Sequence, residues 1–152
     1  MNSFSPQFLF ATWFGTGLSP KAPGTVGTLA TVPVHFLLIQ LPFWGHLAFL
    51  VMFVVLGTWC AQKVAVEHGS HDPQIVVVDE SAGILIALFV MGPTTLWSTV
   101  AAIVVFRLLD VTKIWPISAA EKLKPEGVGI MADDVLAGLF AGSIVWMIMA
   151  PV

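Results

Sequence analysis

The chain has 152 residues, 57% of them hydrophobic and 10% charged, with a mean hydropathy of +0.93. A soluble surface normally carries about 25% charged residues, and six Lys and Arg against nine Asp and Glu leave a net charge of −3, so composition argues against a soluble, disordered or nucleic-acid-binding protein. Cys60 is the single cysteine, which excludes an internal disulfide framework and a multi-cysteine metal site; lipid is the solvent that remains.

Residues 1–20 hold no Lys or Arg, so they do not read as a signal peptide. Residues 8–18 are apolar but too short to span, and are expected to form an N-terminal interfacial segment, with packing into the bundle as the other possibility. Apolar runs follow at 28–44, 47–66, 81–91, 94–106 and 135–152. The second matches a hydrocarbon core of roughly 30 Å by itself. The third and fourth reach that length only by taking in polar residues: 75–91 includes Asp79 and Glu80, and 94–114 includes Arg107, Asp110 and Lys113.

The links LPFWG (41–45) and MGPTT (91–95) mark tight turns, so the runs pair into two helical hairpins followed by a C-terminal helix. The expected architecture is all-α: one domain over residues 1–152, a polytopic membrane bundle of about five membrane-embedded helices. Threading that topology gathers all fifteen charged residues at one end, including the six basic ones, and sends Val152 to the other. The positive-inside rule turns the charged end toward the cytoplasm.

Four motifs carry chemistry. LSPKAPGTVGT (18–28) stiffens the approach to a helix starting at about Thr25 or Thr28; Lys21, Thr25 and free N–H groups there suit a phosphate, although Thr25 also reads as an ordinary N-cap. DPQIVVVDESAG (72–83), with VVVDESAG (76–83) at its end, keeps two adjacent acids against apolar sequence, where burial of an acid costs roughly 2.5–3.5 kcal/mol; acids in a first helical turn are the plainer reading. FRLLDVTKIWPI (106–117) spaces Arg107, Asp110 and Lys113 by three residues on one face, as a phosphate clamp or as an ion-pair ladder. GVGIMADDVLAG (127–138) opens the last helix with Asp133 and Asp134, as ligands or as a cap, before a small-residue face suited to close packing.

Together, Asp79, Glu80, Asp110, Asp133 and Asp134 stand at membrane-entry depth beside Lys21, Arg107 and Lys113. Oxygen ligands without a Cys or His cluster suit a hard cation such as Mg²⁺, which takes one or two carboxylates plus waters and a phosphate. His35 and His46 fall in or beside the charge-free hairpin and are expected to pack; His68 and His71 lie in the loop before Asp72 and are weaker site candidates. Cys60 reads as a buried apolar residue, and Glu67, Glu121, Lys122, Lys124 and Glu126 as solvated loop surface.

At these four motifs, in order and spread over nearly the whole chain, the sequence resembles the phosphatidylglycerophosphatase A family. Ile114 departs from it, standing where the family usually has proline after the lysine. The resemblance implies a multi-pass enzyme of the bacterial inner membrane, facing the cytoplasm, that uses Mg²⁺ to remove the terminal phosphate of phosphatidylglycerophosphate. On this reading Asp79, Glu80, Asp133 and Asp134 supply metal ligands, and Asp110 orients or deprotonates a water. Lys21, Thr25, Arg107 and Lys113 bind the phosphate. Attack by water is favoured and a phospho-aspartate is the alternative route. Motifs of other phosphatases are missing: no DxDx[TV] occurs, and Val66 stands where a Cys-x5-Arg site built on Cys60 needs arginine. A small membrane transporter or ion-binding subunit using the same acids is the rival reading, which calls for polar residues continuing across the bilayer; a purely structural membrane subunit is a second, in which the acids would tolerate amides.

Overall fold

The computed structural model describes residues 5–149, and these contain helices and no strand. In chain order they are α1 (Pro6–Ala11), a 3-10 turn (Thr16–Leu18), α2 (Pro23–Leu38), α3 (Phe43–His68), α4 (Val78–Met91), α5 (Leu96–Thr112), α6 (Ile117–Ala120) and α7 (Glu126–Met149). The all-α expectation holds, with both hairpins in place; the expected position of Val152 lies outside the described residues.

Local chemistry explains the boundaries. Pro23 starts α2 because its fixed φ and missing N–H suit a first helical position. Thr25 therefore sits inside the first turn and does not cap it. The cap is Ala22, in the left-handed region at φ 46°. Gly69 closes α3 at φ 60°, where a residue without Cβ meets no penalty. Thr95 and Ser98 form a reciprocal capping box at the start of α5.

The central helix is α4, eleven of whose fourteen residues are buried, which accounts for its lack of a polar face. It packs on α2, α3 and α5, and most extensively on α7. The α4–α7 contact is backbone against backbone. A Cβ on Gly138 would run into the Gly83 carbonyl, and one on Gly142 would sit 2.8 Å from the Val90 Cβ. Both helices start at the same end of the bundle, so one turn before Gly83 and Gly138 the same crossing brings Asp79 beside Asp134.

Around this core the outer helices expose large apolar side chains, among them Leu37, Val55, Val104 and Ile148. An apolar exterior of this extent suits lipid. α3 and α7, with 26 and 24 residues, are long and apolar enough to cross a membrane. α2, α4 and α5 have 16, 14 and 17 residues and rise about 24, 21 and 26 Å, short of a hydrocarbon core of about 30 Å. By length and apolarity, then, two helices are candidate spans, and the expected count of about five membrane-embedded helices is not confirmed.

The N-terminal segment corrects one expectation. Phe8, Ala11, Thr12 and Trp13 are buried, and the rings of Phe10 and Trp13 each lie 5.2 Å from that of Phe53 on α3. The segment also supports α4 directly, since the Val77 amide donates to the Ala11 carbonyl at 2.9 Å. Aromatic residues that would suit an interface are here used for packing. At the opposite end of the bundle His35 and His46 are buried as expected, with His35 Nε2 2.9 Å from Thr94 Oγ1 and the His46 ring edge-on to Phe89.

Candidate active site

A cleft of about 530 Å³ opens at the charged end of the bundle, between the starts of α2, α4 and α7 and the end of α5. Its back wall is acidic. Asp79 and Glu80 come from the first turn of α4, as the plainer reading of that motif held, but they point inward: Asp79 is buried. Asp134 comes from α7. That helix begins at Glu126, so Asp133 and Asp134 lie two turns inside it and do not cap it, which corrects the expected start.

The crossing of α4 and α7 brings ligand atoms of Asp79, Glu80 and Asp134 within 4.8 Å of one another. Asp79 Oδ1, Glu80 Oε2 and Asp134 Oδ1 are buried with no hydrogen-bond partner. Asp133 points elsewhere and is not part of this group.

Two cations face the acids, each already shared. Arg107 Nη1 lies 2.6 Å from Asp110 and 3.7 Å from Glu80, joining α5 to α4. Lys113 Nζ lies 2.6 Å from Glu121 and 2.9 Å from Asp133. The expected ladder is thus half present: Arg107 pairs with Asp110 along the helix, and Lys113 leaves that helix's partners for the chain that follows. It can do so because it ends α5 in the left-handed region at φ 43°, a conformation unfavourable for a side-chain-bearing residue that the two ion pairs offset. Burial alone would lower the Lys113 ammonium; the hydrogen bonds to Glu121 and Asp133 outweigh it and hold the group above the ordinary lysine value.

The inventory leaves Asp79 and Asp134 with no basic partner. Two carboxylates about 5 Å apart repel by about 3 kcal/mol at an effective dielectric constant of about 20. Three converging carboxylates with orphaned oxygens therefore call for positive charge from outside the chain, and an all-oxygen donor set fits a hard divalent cation.

Of the other expected site residues, Asp110, Arg107, Lys113 and Asp133 all line the cleft. Lys21 and Thr25 do not: the lining at the start of α2 is Pro20, Ala22, Pro23 and Gly24, with exposed Lys21 beside it. Three further polar lining residues, Asp72, Gln74 and Glu121, had no expected site role, and His71 was a weaker candidate. His71, held near Lys124 (3.4 Å), Asp72 and Gln74 come from the loop at 69–77, and Glu121 follows α6. Glu121 is thereby corrected from solvated surface to a wall of the cleft. Spacing gave no signal for these, because a loop folded over a cleft has no periodicity; Asp72 and Gln74 stood at the start of the 72–83 motif without a role, and His71 just before it.

Arg107 makes one testable case. Arg107 meets both Asp110 and Glu80 through Nη1, and a lysine ammonium, a compact and strongly hydrated point charge on a flexible stem, does not reproduce the reach and spread charge of the guanidinium between them. Arg107→Lys is expected to lower kcat/KM for phosphate release by about 10–100-fold in folded protein; undiminished activity would remove the bridge from the account.

The chain is similar to known proteins over nearly its whole length. A family model described as Phosphatidylglycerophosphatase A matches residues 9–149. A protein of Escherichia coli strain K12 named Phosphatidylglycerophosphatase A is 38% identical over 145 residues, covering 95% of this chain and 84% of its own. A protein of the same name from Haemophilus influenzae is 38% identical, covering 95% and 89%. A Bacteroides thetaiotaomicron protein with the provisional name of a phosphatidylinositol-3-phosphatase is 40% identical, covering 91% and 90%. No solved structure gives a significant match. With the family model spanning all the helices from α2 to α7, and relatives aligned over nearly their whole length, the chain belongs to the phosphatidylglycerophosphatase A family.

Proposed function

We propose that the chain is a lipid phosphatase that hydrolyses the terminal phosphate monoester of phosphatidylglycerophosphate, releasing inorganic phosphate and leaving phosphatidylglycerol. The observation that carries the reading is the trio of orphaned carboxylate oxygens on Asp79, Glu80 and Asp134 in the same cleft as Arg107 and Lys113. Phosphoryl transfer passes through a loose transition state, so positioning and charge stabilisation supply most of the catalysis.

In this reading Asp79, Glu80 and Asp134 hold the cation, Mg²⁺ by its preference for carboxylate and phosphate oxygen. When bound, such a cation polarises the phosphate ester as a Lewis acid. Arg107 and Lys113 stabilise the charge that gathers on the phosphate oxygens. Asp110, fixed by Arg107, orients the attacking water and takes its proton. Asp133 changes role from expected ligand to the group that anchors Lys113. Lys21 and Thr25 stay in the phosphate-binding set through their place at the start of α2, beside the lining residues Ala22, Pro23 and Gly24.

The same reading sets the molecule in the bilayer. One domain embeds α2, α3, α4, α5 and α7, and the charged end faces the cytoplasm of a bacterial inner membrane by the positive-inside rule. The headgroup enters the cleft at that end while the acyl chains stay in lipid. The transport alternative gains no support from charge, because none of the fifteen charged residues lies at the hairpin tips, and His35 and His46 at that end are packed against Thr94 and Phe89.

The test is direct. Purified protein in mixed micelles with phosphatidylglycerophosphate is expected to yield phosphate and phosphatidylglycerol in equal amounts; neither product appearing would contradict the assignment.

A further inference from the structure

The polar side chains lining the cleft divide into those with partners and those without. Asp79, Glu80 and Asp134 form the cation cluster, while Arg107, Asp110, Lys113, Glu121 and Asp133 are joined in ion pairs, and His71 is held by Lys124 and Glu126. Asp72 and Gln74 remain. Both are exposed on the cleft wall, and neither makes a hydrogen bond or ion pair within the described residues.

Asp72 lines the same cleft as Arg107, Asp110, Lys113 and Glu121, and so shares the space in which the two cations would hold a phosphate. A carboxylate there repels phosphate oxygens. What it can accept is a hydroxyl proton, and the neighbouring Gln74 amide can donate or accept in the same way. The cleft, at about 530 Å³, is also much larger than a phosphate group, leaving room for the carbon that bears it and its neighbours.

We infer that Asp72 and Gln74 form a hydroxyl-binding subsite, which selects lipid headgroups carrying a free hydroxyl next to the phosphate-bearing carbon. This rests on the phosphatase reading above and specifies which part of the substrate the loop at 69–77 reads. A site built to hydrogen-bond a substrate hydroxyl discriminates strongly against the analogue lacking it, because its polar groups are then left unpaired.

The experiment is a two-by-two cycle of protein and substrate. kcat/KM is measured for phosphatidylglycerophosphate and for its analogue without the secondary headgroup hydroxyl, with wild-type protein, Asp72→Ala and Gln74→Ala; Asp72→Asn serves as the conservative variant should Asp72→Ala fold poorly. Wild type is expected to lose about tenfold or more on deoxygenation. In Asp72→Ala that loss should shrink to less than about threefold, with Gln74→Ala intermediate. An equal loss on deoxygenation in all proteins, or no loss in wild type, overturns the subsite while leaving the phosphatase reading intact. No phosphate released from either lipid by wild type would overturn the reading itself, and the subsite with it.

Discussion

Asp134→Asn is expected to lose at least about a hundredfold in phosphate release while making the cation-free protein more stable, by on the order of 1 kcal/mol. Both effects come from one cause. The Asp134 carboxylate is buried beside Asp79 and Glu80, and its Oδ1 has no partner within the chain. An amide of nearly the same shape removes one of three converging negative charges, so the empty cluster repels itself less. The loss of that charge also removes a ligand for the cation. Thermal unfolding in detergent with and without Mg²⁺ separates the two. Wild type should gain stability from the cation through preferential binding to the folded state, and the variant should start higher and gain little. A variant that keeps wild-type activity, or still responds fully to Mg²⁺, would take Asp134 out of the site. Asp79→Asn should behave in the same way, since it has the same burial and the same lack of a basic partner.

Gly138→Val should destabilise the protein by about 3 kcal/mol, near the upper end for overpacking a filled interior. The atom that an added Cβ meets is the Gly83 backbone carbonyl, with the Gly83 Cα 3.1 Å away. No rotamer change relieves a clash with backbone, so α4 and α7 must separate. That separation reaches the site one turn away, where Asp79 and Asp134 face each other. The fraction that stays folded should therefore show reduced phosphate release and a smaller stabilisation by Mg²⁺. Gly45→Ala provides the contrast. Its nearest neighbours would stand at an ordinary 3.5 Å, and alanine favours a helix by up to about 1 kcal/mol, so stability should hold or rise slightly. Equal melting temperatures for Gly138→Val and wild type would contradict the close α4–α7 crossing.

The sequence revealed which residues matter more clearly than how they combine. Charged residues beside apolar runs stand out because burying them is costly, and that was enough to mark Asp79, Glu80, Arg107, Asp110, Lys113, Asp133 and Asp134, all of which line one cleft. Which acids converge was not legible. The α4–α7 register selects Asp134 over its neighbour Asp133, and it depends on Gly83 and Gly138 meeting across 55 residues of chain. The start of α7 was misplaced for a related reason. Gly127 and Gly129 weaken a helical reading of residues 126–132, yet a Cβ at either would strike backbone, that of α3 for Gly127 and the Glu121 carbonyl for Gly129. Glycine is kept there for close approach. The aromatic N-terminal segment posed the reverse problem: Phe10 and Trp13 have the chemistry of an interface anchor, and only the position of Phe53 reveals that they pack inward.

The proposed role of the three acids on two crossing helices is to hold a divalent cation for lipid phosphate hydrolysis. It is tested most directly by phosphate release from phosphatidylglycerophosphate as purified protein is first stripped with a chelator and then titrated with Mg²⁺. Release is expected to fall to background on chelation and to return with Mg²⁺ in wild type, but to stay at background throughout in Asp134→Asn. Release that continues unchanged in the presence of chelator would contradict it.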